Sequence, residues 1–141
     1  MDIRPLSDDY AVSPQIAPTD VAAIAEAGFT TLVCNRPDGE IPPDLQADAI
    51  RAAAEAAGLH FVLNPVVGGA ITMDNVTAQA NAMSDSAGPV LAYCASGNRS
   101  SVVWALAHAG KHPTDDLIAI PARHGYGLEP FRATIDHLAR T

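Results

Sequence analysis

A chain of 141 residues suits one compact unit, expected over 1–141, and can bury roughly two-thirds of its unfolded surface without disulfide or metal staples. Hydrophobic residues make up 48% and charged residues 17%, which excludes a disordered or fibrous protein. A net charge of -8 sets the chain against nucleic-acid backbones and anionic lipid, so neither a nucleic acid nor a membrane is expected as a partner.

No apolar run approaches the ~20 residues of a membrane span. The start, Met1-Asp2-Ile3-Arg4-Pro5, has neither the basic nor the apolar stretch of a signal peptide. A cytoplasmic location is therefore expected, with Cys34 and Cys94 as thiols. Among the basic residues only Lys111 is not arginine, the side chain that grips phosphate with a planar fork.

Short β-branched stretches alternate with Ala-rich ones, which predicts an α/β fold. Tyr10–Ser13 reads as the first strand. Pro18 to Ala27 reads as a helix stopped by Gly28, and Phe29–Cys34 as a strand buried on both faces. Residues 35–40, Asn-Arg-Pro-Asp-Gly-Glu, read as a loop. Asp44 to Ala57 reads as a helix, Leu59–Leu63 as a strand and Pro65–Ala70 as a glycine-bearing loop. Thr72 reads as the N-cap of a helix to about Ser84. Val90–Tyr93 reads as a strand ending at Cys94, and a helix follows from about Ser100 to Ala109. Two last helices are expected near Pro113–Pro121 and Pro130–Arg140. Successive strand–helix units predict a short, mainly parallel sheet flanked by helices.

The chemistry concentrates in Cys94-Ala95-Ser96-Gly97-Asn98-Arg99-Ser100. A strand delivers a cysteine to a small-residue loop that opens a helix. The first helical turn has unpaired N–H groups and a partial positive charge. The N–H groups of Ala95, Ser96, Gly97 and Asn98 can curl into a nest for an anion, and a thiol at its centre is favoured as thiolate. Arg99 adds a bidentate fork for phosphoryl oxygens. Ser100 can donate to the sulfur as it leaves. The alternative is a packed structural cysteine followed by a turn.

Five blocks carry a family resemblance: Asp2–Leu6, Val12–Ile16, Cys34–Glu40, Pro65–Thr72 and the Cys94 loop. Over residues 2 to about 110 they resemble the bacterial family of beta-lactamase hydrolase-like phosphatases. The Cys94 loop is also similar to those of cysteine-dependent protein tyrosine phosphatases and rhodanese-type domains. The resemblance implies a dual-specificity-phosphatase-like fold and hydrolysis of a phosphomonoester through a cysteinyl-phosphate. In it Cys94 is the nucleophile and Arg99 with the loop amides holds the phosphate. It also implies an acidic residue that protonates the leaving oxygen. Pro65–Thr72 holds none, so Asp38 is the candidate, with Glu40 beside it. Asp74 reads better as a helix-start residue.

Arg36 is expected either to help bind phosphate or to pair with a loop carboxylate. Cys34 is expected either to trap oxidised Cys94 as a reversible disulfide, as in some phosphatases of this fold, or to pack as a small apolar residue. The histidines make no metal-ligand pattern, and no metal or other cofactor is expected. His124, beside Gly125-Tyr126-Gly127, is a candidate for the pocket mouth. Two rival readings stay open. Only four residues separate Cys94 from Arg99, the rhodanese spacing, so a sulfurtransferase carrying a Cys94 persulfide is one. A non-catalytic anion-binding module is the other. The expected partner is a phosphorylated substrate, and the sequence specifies neither its identity nor an oligomeric state.

Overall fold

A computed structural model describes residues 1–141. Five strands form one sheet: β1 (Arg4–Ser7), β2 (Tyr10–Ser13), β3 (Thr31–Cys34), β4 (His60–Leu63) and β5 (Val90–Tyr93). Their order across the sheet is β1-β2-β5-β3-β4. β5 is central and pairs in parallel with β2 and β3, and β3 pairs in parallel with β4. The expected mixed α/β fold with a mainly parallel sheet is therefore what the chain adopts.

The first strand is a correction. Arg4–Ser7 pairs antiparallel with β2 through a tight turn, so Tyr10 opens the second strand. Pro5 and a polar, partly exposed pattern hide β1 from the sequence, yet both suit an edge strand. The register shifts between Pro5 and Ser7, as at a bulge.

Six helices flank the sheet: α1 (Val21–Glu26), α2 (Ala47–Ala56), α3 (Met73–Asp85), α4 (Asn98–Ala107), α5 (Thr114–Ala122) and α6 (Arg132–Ala139). Three expected helix starts are short 3-10 turns instead, at Pro18–Asp20, Pro43–Leu45 and Glu129–Phe131. Proline presets those turns, but the helix proper begins beyond them. Thr72 does cap α3: its hydroxyl accepts from the Asn75 N–H at 3.1 Å, and the Asn75 side chain accepts from the Thr72 N–H at 3.1 Å.

The strands alternate their side chains between two cores. Ala11, Leu32, Cys34, Leu91 and Tyr93 pack under α1 and α2. Tyr10, Val12, Val33, Val90 and Ala92 pack under α3 to α6. The chain steps outward from β2 to β3 to β4, then reverses to β5, and the reversal carries α3 to the opposite face. The carboxyl ends of β2, β3 and β5 meet at that switch point, where open α/β sheets leave a crevice for ligands. No helix is long and apolar enough to cross a membrane.

Candidate active site

β5 runs directly into Cys94, which is 1% exposed. Gly97 closes the following turn with φ +99°, a left-handed conformation that glycine adopts without strain, and so caps α4. Helix α4 therefore starts at Asn98, two residues before the sequence places it. The Gly97 N–H donates to Cys94 Sγ at 3.1 Å, and the Asn98 N–H donates to Ser96 Oγ at 3.2 Å. Ser101 ties the turn to the helix by donating from its hydroxyl to the Gly97 carbonyl at 2.8 Å. The N–H groups of Ala95, Ser96, Arg99 and Ser100 meet no acceptor. These four unpaired donors at a helix start differ from the expected set, since the Gly97 and Asn98 N–H groups already have partners within the loop.

Arg99 has five N–H donors and spends three. Nη1 donates to Glu40 Oε2 at 2.9 Å and to the Val66 carbonyl at 2.8 Å, and Nη2 donates to Glu40 Oε1 at 2.8 Å. The N–H of Nε and the second N–H of Nη2 remain, and they form the other edge of the guanidinium. That edge is a second bidentate fork. The hydrogen bonds from Arg99, then the charges of Arg99 and Arg36, hold the Glu40 carboxyl below the usual glutamate range. Glu40 in turn, with a smaller contribution from the nearby Cys94 sulfur, raises the Arg99 pKa. Glu40 thus anchors the arginine.

Three further expected site residues have partners other than the Cys94 sulfur. Asp38 is exposed, and its carboxylate accepts from the Ala47 N–H at 2.9 Å. It caps α2 from an upstream turn and makes no bond to the Cys94 loop. Ser100 is buried with its hydroxyl donating to Asn35 Oδ1 at 2.9 Å, so that proton is turned from the sulfur. Arg36 takes the pairing role: it donates to the Glu40 carbonyl at 2.9 Å, Gln15 Oε1 at 3.3 Å and Glu40 Oε1 at 3.4 Å.

Cys34 and Cys94 are both free thiols. Cys34 lies opposite Tyr93 in the sheet, on the α1–α2 face, and its thiol donates to the Arg36 carbonyl at 3.4 Å. Burial pushes the Cys34 thiol up. Beside it the Tyr93 hydroxyl is buried without a well-formed hydrogen bond. His124 offers only its carbonyl near the site, to Arg4 at 3.0 Å.

Sequence reading missed the supports of the loop. Asn35, Asn64, Asn75 and Gln79 form an amide network: Gln79 Oε1 accepts from Asn35 and Asn64, each at 2.9 Å, and Asn64 Oδ1 accepts from Asn75 at 2.9 Å. Gln79 also donates to the Tyr10 hydroxyl, which donates to the Ser100 carbonyl, both at 2.9 Å. The network joins β2, β3, the Pro65 loop and α3 to the start of α4. On the other side the Tyr126 hydroxyl donates to the Ser96 carbonyl at 2.8 Å. Single amides and a lone tyrosine give no periodic signal. Only the fold brings them together.

The architecture is that of the protein tyrosine and dual-specificity phosphatases. Residues 2–111 match the family described as beta-lactamase hydrolase-like protein, phosphatase-like domain, and the chain belongs to that family. It is 33% identical over 130 residues to the beta-lactamase hydrolase-like protein of Xylella fastidiosa (strain Temecula1), covering 91% of this chain and 30% of the relative. The chain thus spans less than a third of that relative's length. A candidate phosphatase from Neisseria meningitidis Z2491 superposes with a TM-score of 0.85 at 33% identity, covering 98% of this chain and 99% of the other. A cysteine-to-serine variant of P. aeruginosa TpbA in complex with phosphotyrosine gives a TM-score of 0.69 at 17% identity, covering 97% of this chain and 87% of the other.

Proposed function

We propose that the chain hydrolyses phosphomonoesters, with Cys94 as the nucleophile. One observation carries the reading: unpaired N–H groups of Ala95, Ser96, Arg99 and Ser100 and the free edge of Arg99 gather at the cysteine's own loop. Family membership supports the same reading. The thiolate attacks phosphorus, the S–P bond forms and the ester P–O bond breaks. The electron pair leaves on the ester oxygen, which takes its proton from water. A second water then attacks phosphorus, the S–P bond breaks, and inorganic phosphate leaves with the thiolate restored. Loop amides and Arg99 hold the equatorial oxygens as charge spreads over them.

The substrate class follows from what surrounds the loop. Asp38 caps a helix and Glu40 anchors Arg99, which supports a reading in which neither carboxylate protonates the leaving group. A positioned acid is worth about 10²–10⁴ in rate, and a substrate that does without one needs a stable leaving anion. A phenolate meets that need and an alkoxide does not. The arginines at the site, Arg36 and Arg99, are both tied to Glu40, which suits one phosphate rather than a polyanion. Val67 is exposed beside the carbonyl that holds Arg99 and adds apolar surface for an aromatic ring. Aryl phosphates, phosphotyrosine among them, are the expected substrates, and the phosphotyrosine complex of a TpbA variant supports this reading.

Cys94→Ser is expected to abolish hydrolysis of an aryl phosphate while inorganic phosphate still binds, read by calorimetry. Turnover retained in that variant contradicts the mechanism. The four-residue spacing between Cys94 and Arg99 supports sulfur transfer as a second reading. Thiocyanate formed from thiosulfate and cyanide, without phosphate release from aryl esters, would establish it instead.

A further inference from the structure

The peptide unit between Ser96 and Gly97 is held at both ends. Its N–H donates to Cys94 Sγ at 3.1 Å, and its carbonyl accepts from the Tyr126 hydroxyl at 2.8 Å. In a trans peptide these two groups point in opposite directions, so fixing the carbonyl aims the N–H. The Tyr126 oxygen accepts in turn from Arg4 Nη1 at 3.1 Å, and the same nitrogen donates to the His124 carbonyl at 3.0 Å. The remaining nitrogens of Arg4 hold the Asp2 carboxylate. The guanidinium carbon lies 5.3 Å from the centre of the Tyr126 ring.

Every donor in this series points the same way: guanidinium to phenol, phenol to carbonyl, amide to sulfur. Hydrogen bonds aligned in this way polarise one another. Tyr126 is buried, and burial raises the pKa of its phenol, which keeps it a donor. The titratable groups in electrostatic reach of the sulfur are Tyr10 on β2, Cys34 on β3, Arg99 on α4 and Tyr126. Arg99 is the cation on one side. Arg4 reaches the sulfur from another side through bonds rather than contact.

We propose that Arg4 and Tyr126 are positioning residues for Cys94, a relay that aims and polarises the Gly97 N–H and so favours the thiolate. The proposal rests on Cys94 as the reactive thiol and not on which reaction the thiol performs. The relay draws in two stretches the chemistry otherwise leaves unused, the Asp2–Leu6 block and the Gly125–Gly127 turn, from opposite ends of the chain.

The test is the pH dependence of Cys94 alkylation by iodoacetamide, with the modified cysteine assigned by mass spectrometry. Tyr126→Phe keeps the ring against the loop and removes only the hydroxyl. Its midpoint is expected to move upward by about 0.5 pH, with a rate at mildly acid pH about threefold lower. The high-pH plateau stays unchanged, a split that a loosened fold would not give. Arg4→Gln moves the midpoint the same way, and adds nothing in the Tyr126→Phe background. Midpoints equal to the native one in both variants, or fully additive effects, overturn the relay. Should Tyr126→Phe misfold, as read by fluorescence of the single tryptophan, Arg4→Gln carries the test alone. Alkylation needs no turnover, so absence of phosphatase activity would sink the proposed function and leave this measurement intact.

Discussion

Gly97 shows how one residue ties backbone to chemistry. A side chain there would sit in a left-handed backbone, and its Cβ would overlap the Tyr126 hydroxyl. Gly97→Ala is expected to cost about 1–3 kcal/mol in urea unfolding and to lower kcat by more than the unfolded fraction explains. Glu40 is the second residue whose worth lies in its partner. Its carboxyl is held below the usual range by Arg99, so the pair's contribution is complete above the ordinary glutamate pKa and is lost as pH falls through the lowered one. Glu40 is substantially exposed, and its effect on stability is small. Its effect on the site is larger. Glu40→Gln leaves Arg99 less firmly aimed, and kcat/KM for an aryl phosphate is expected to fall about tenfold, with acid unfolding nearly unchanged. Cys94, Gly97 and Arg99 were singled out in the sequence because they fall in one short loop. The anchoring of Arg99 by Glu40 and the capping of Ala47 by Asp38 were not, because each depends on a partner brought near by the fold.

Elements meet at the amide network. Gln79 on α3 accepts from Asn35 and Asn64 and donates to Tyr10, so every polar group it faces is satisfied inside the core. Gln79→Leu leaves one N–H of each of the Asn35 and Asn64 amides without its acceptor and is expected to destabilise the chain by about 3 kcal/mol in urea, with aryl phosphatase activity reduced below the loss of folded protein. A cost under about 0.5 kcal/mol would show that the network is not a support. The elements were read from the sequence in type and order where apolar or β-branched runs, Ala-rich stretches, caps and glycine stops marked them, as in β3, α2, α3 and β5. β1 was hidden by Pro5 and its polar face. The 3-10 turns were absorbed into helices because proline marks the start of either. At the ends of β3 and β5, Cys34 is a buried thiol raised in pKa and the Cys94 sulfur accepts from the Gly97 N–H. Mild peroxide is expected to oxidise Cys94 first, with Cys34 modified only as its disulfide partner, as mass spectrometry would show. Cys34 oxidised alone would contradict that order.

The whole molecule separates its pH responses. His108, at the end of α4, is held below the usual histidine range chiefly by burial. The folded state therefore favours its neutral form. Its contribution is complete above the ordinary value of 6.5 and is lost as pH falls through the lowered one. Tm is expected to drop from about pH 7.5 to about pH 5, and less so in His108→Gln. Family resemblance and strand–helix alternation made the fold class legible, whereas the strand order, with β5 at the centre, is settled by long-range pairing. That order places Cys94 between the ends of β2 and β3. The most direct test of the account is rapid acid quenching during turnover of an aryl phosphate, followed by peptide mass spectrometry. The account predicts a phosphoryl group on Cys94 that forms and decays with product release. Turnover with Cys94 unmodified at every time point, or with the phosphoryl group on another residue, would contradict it.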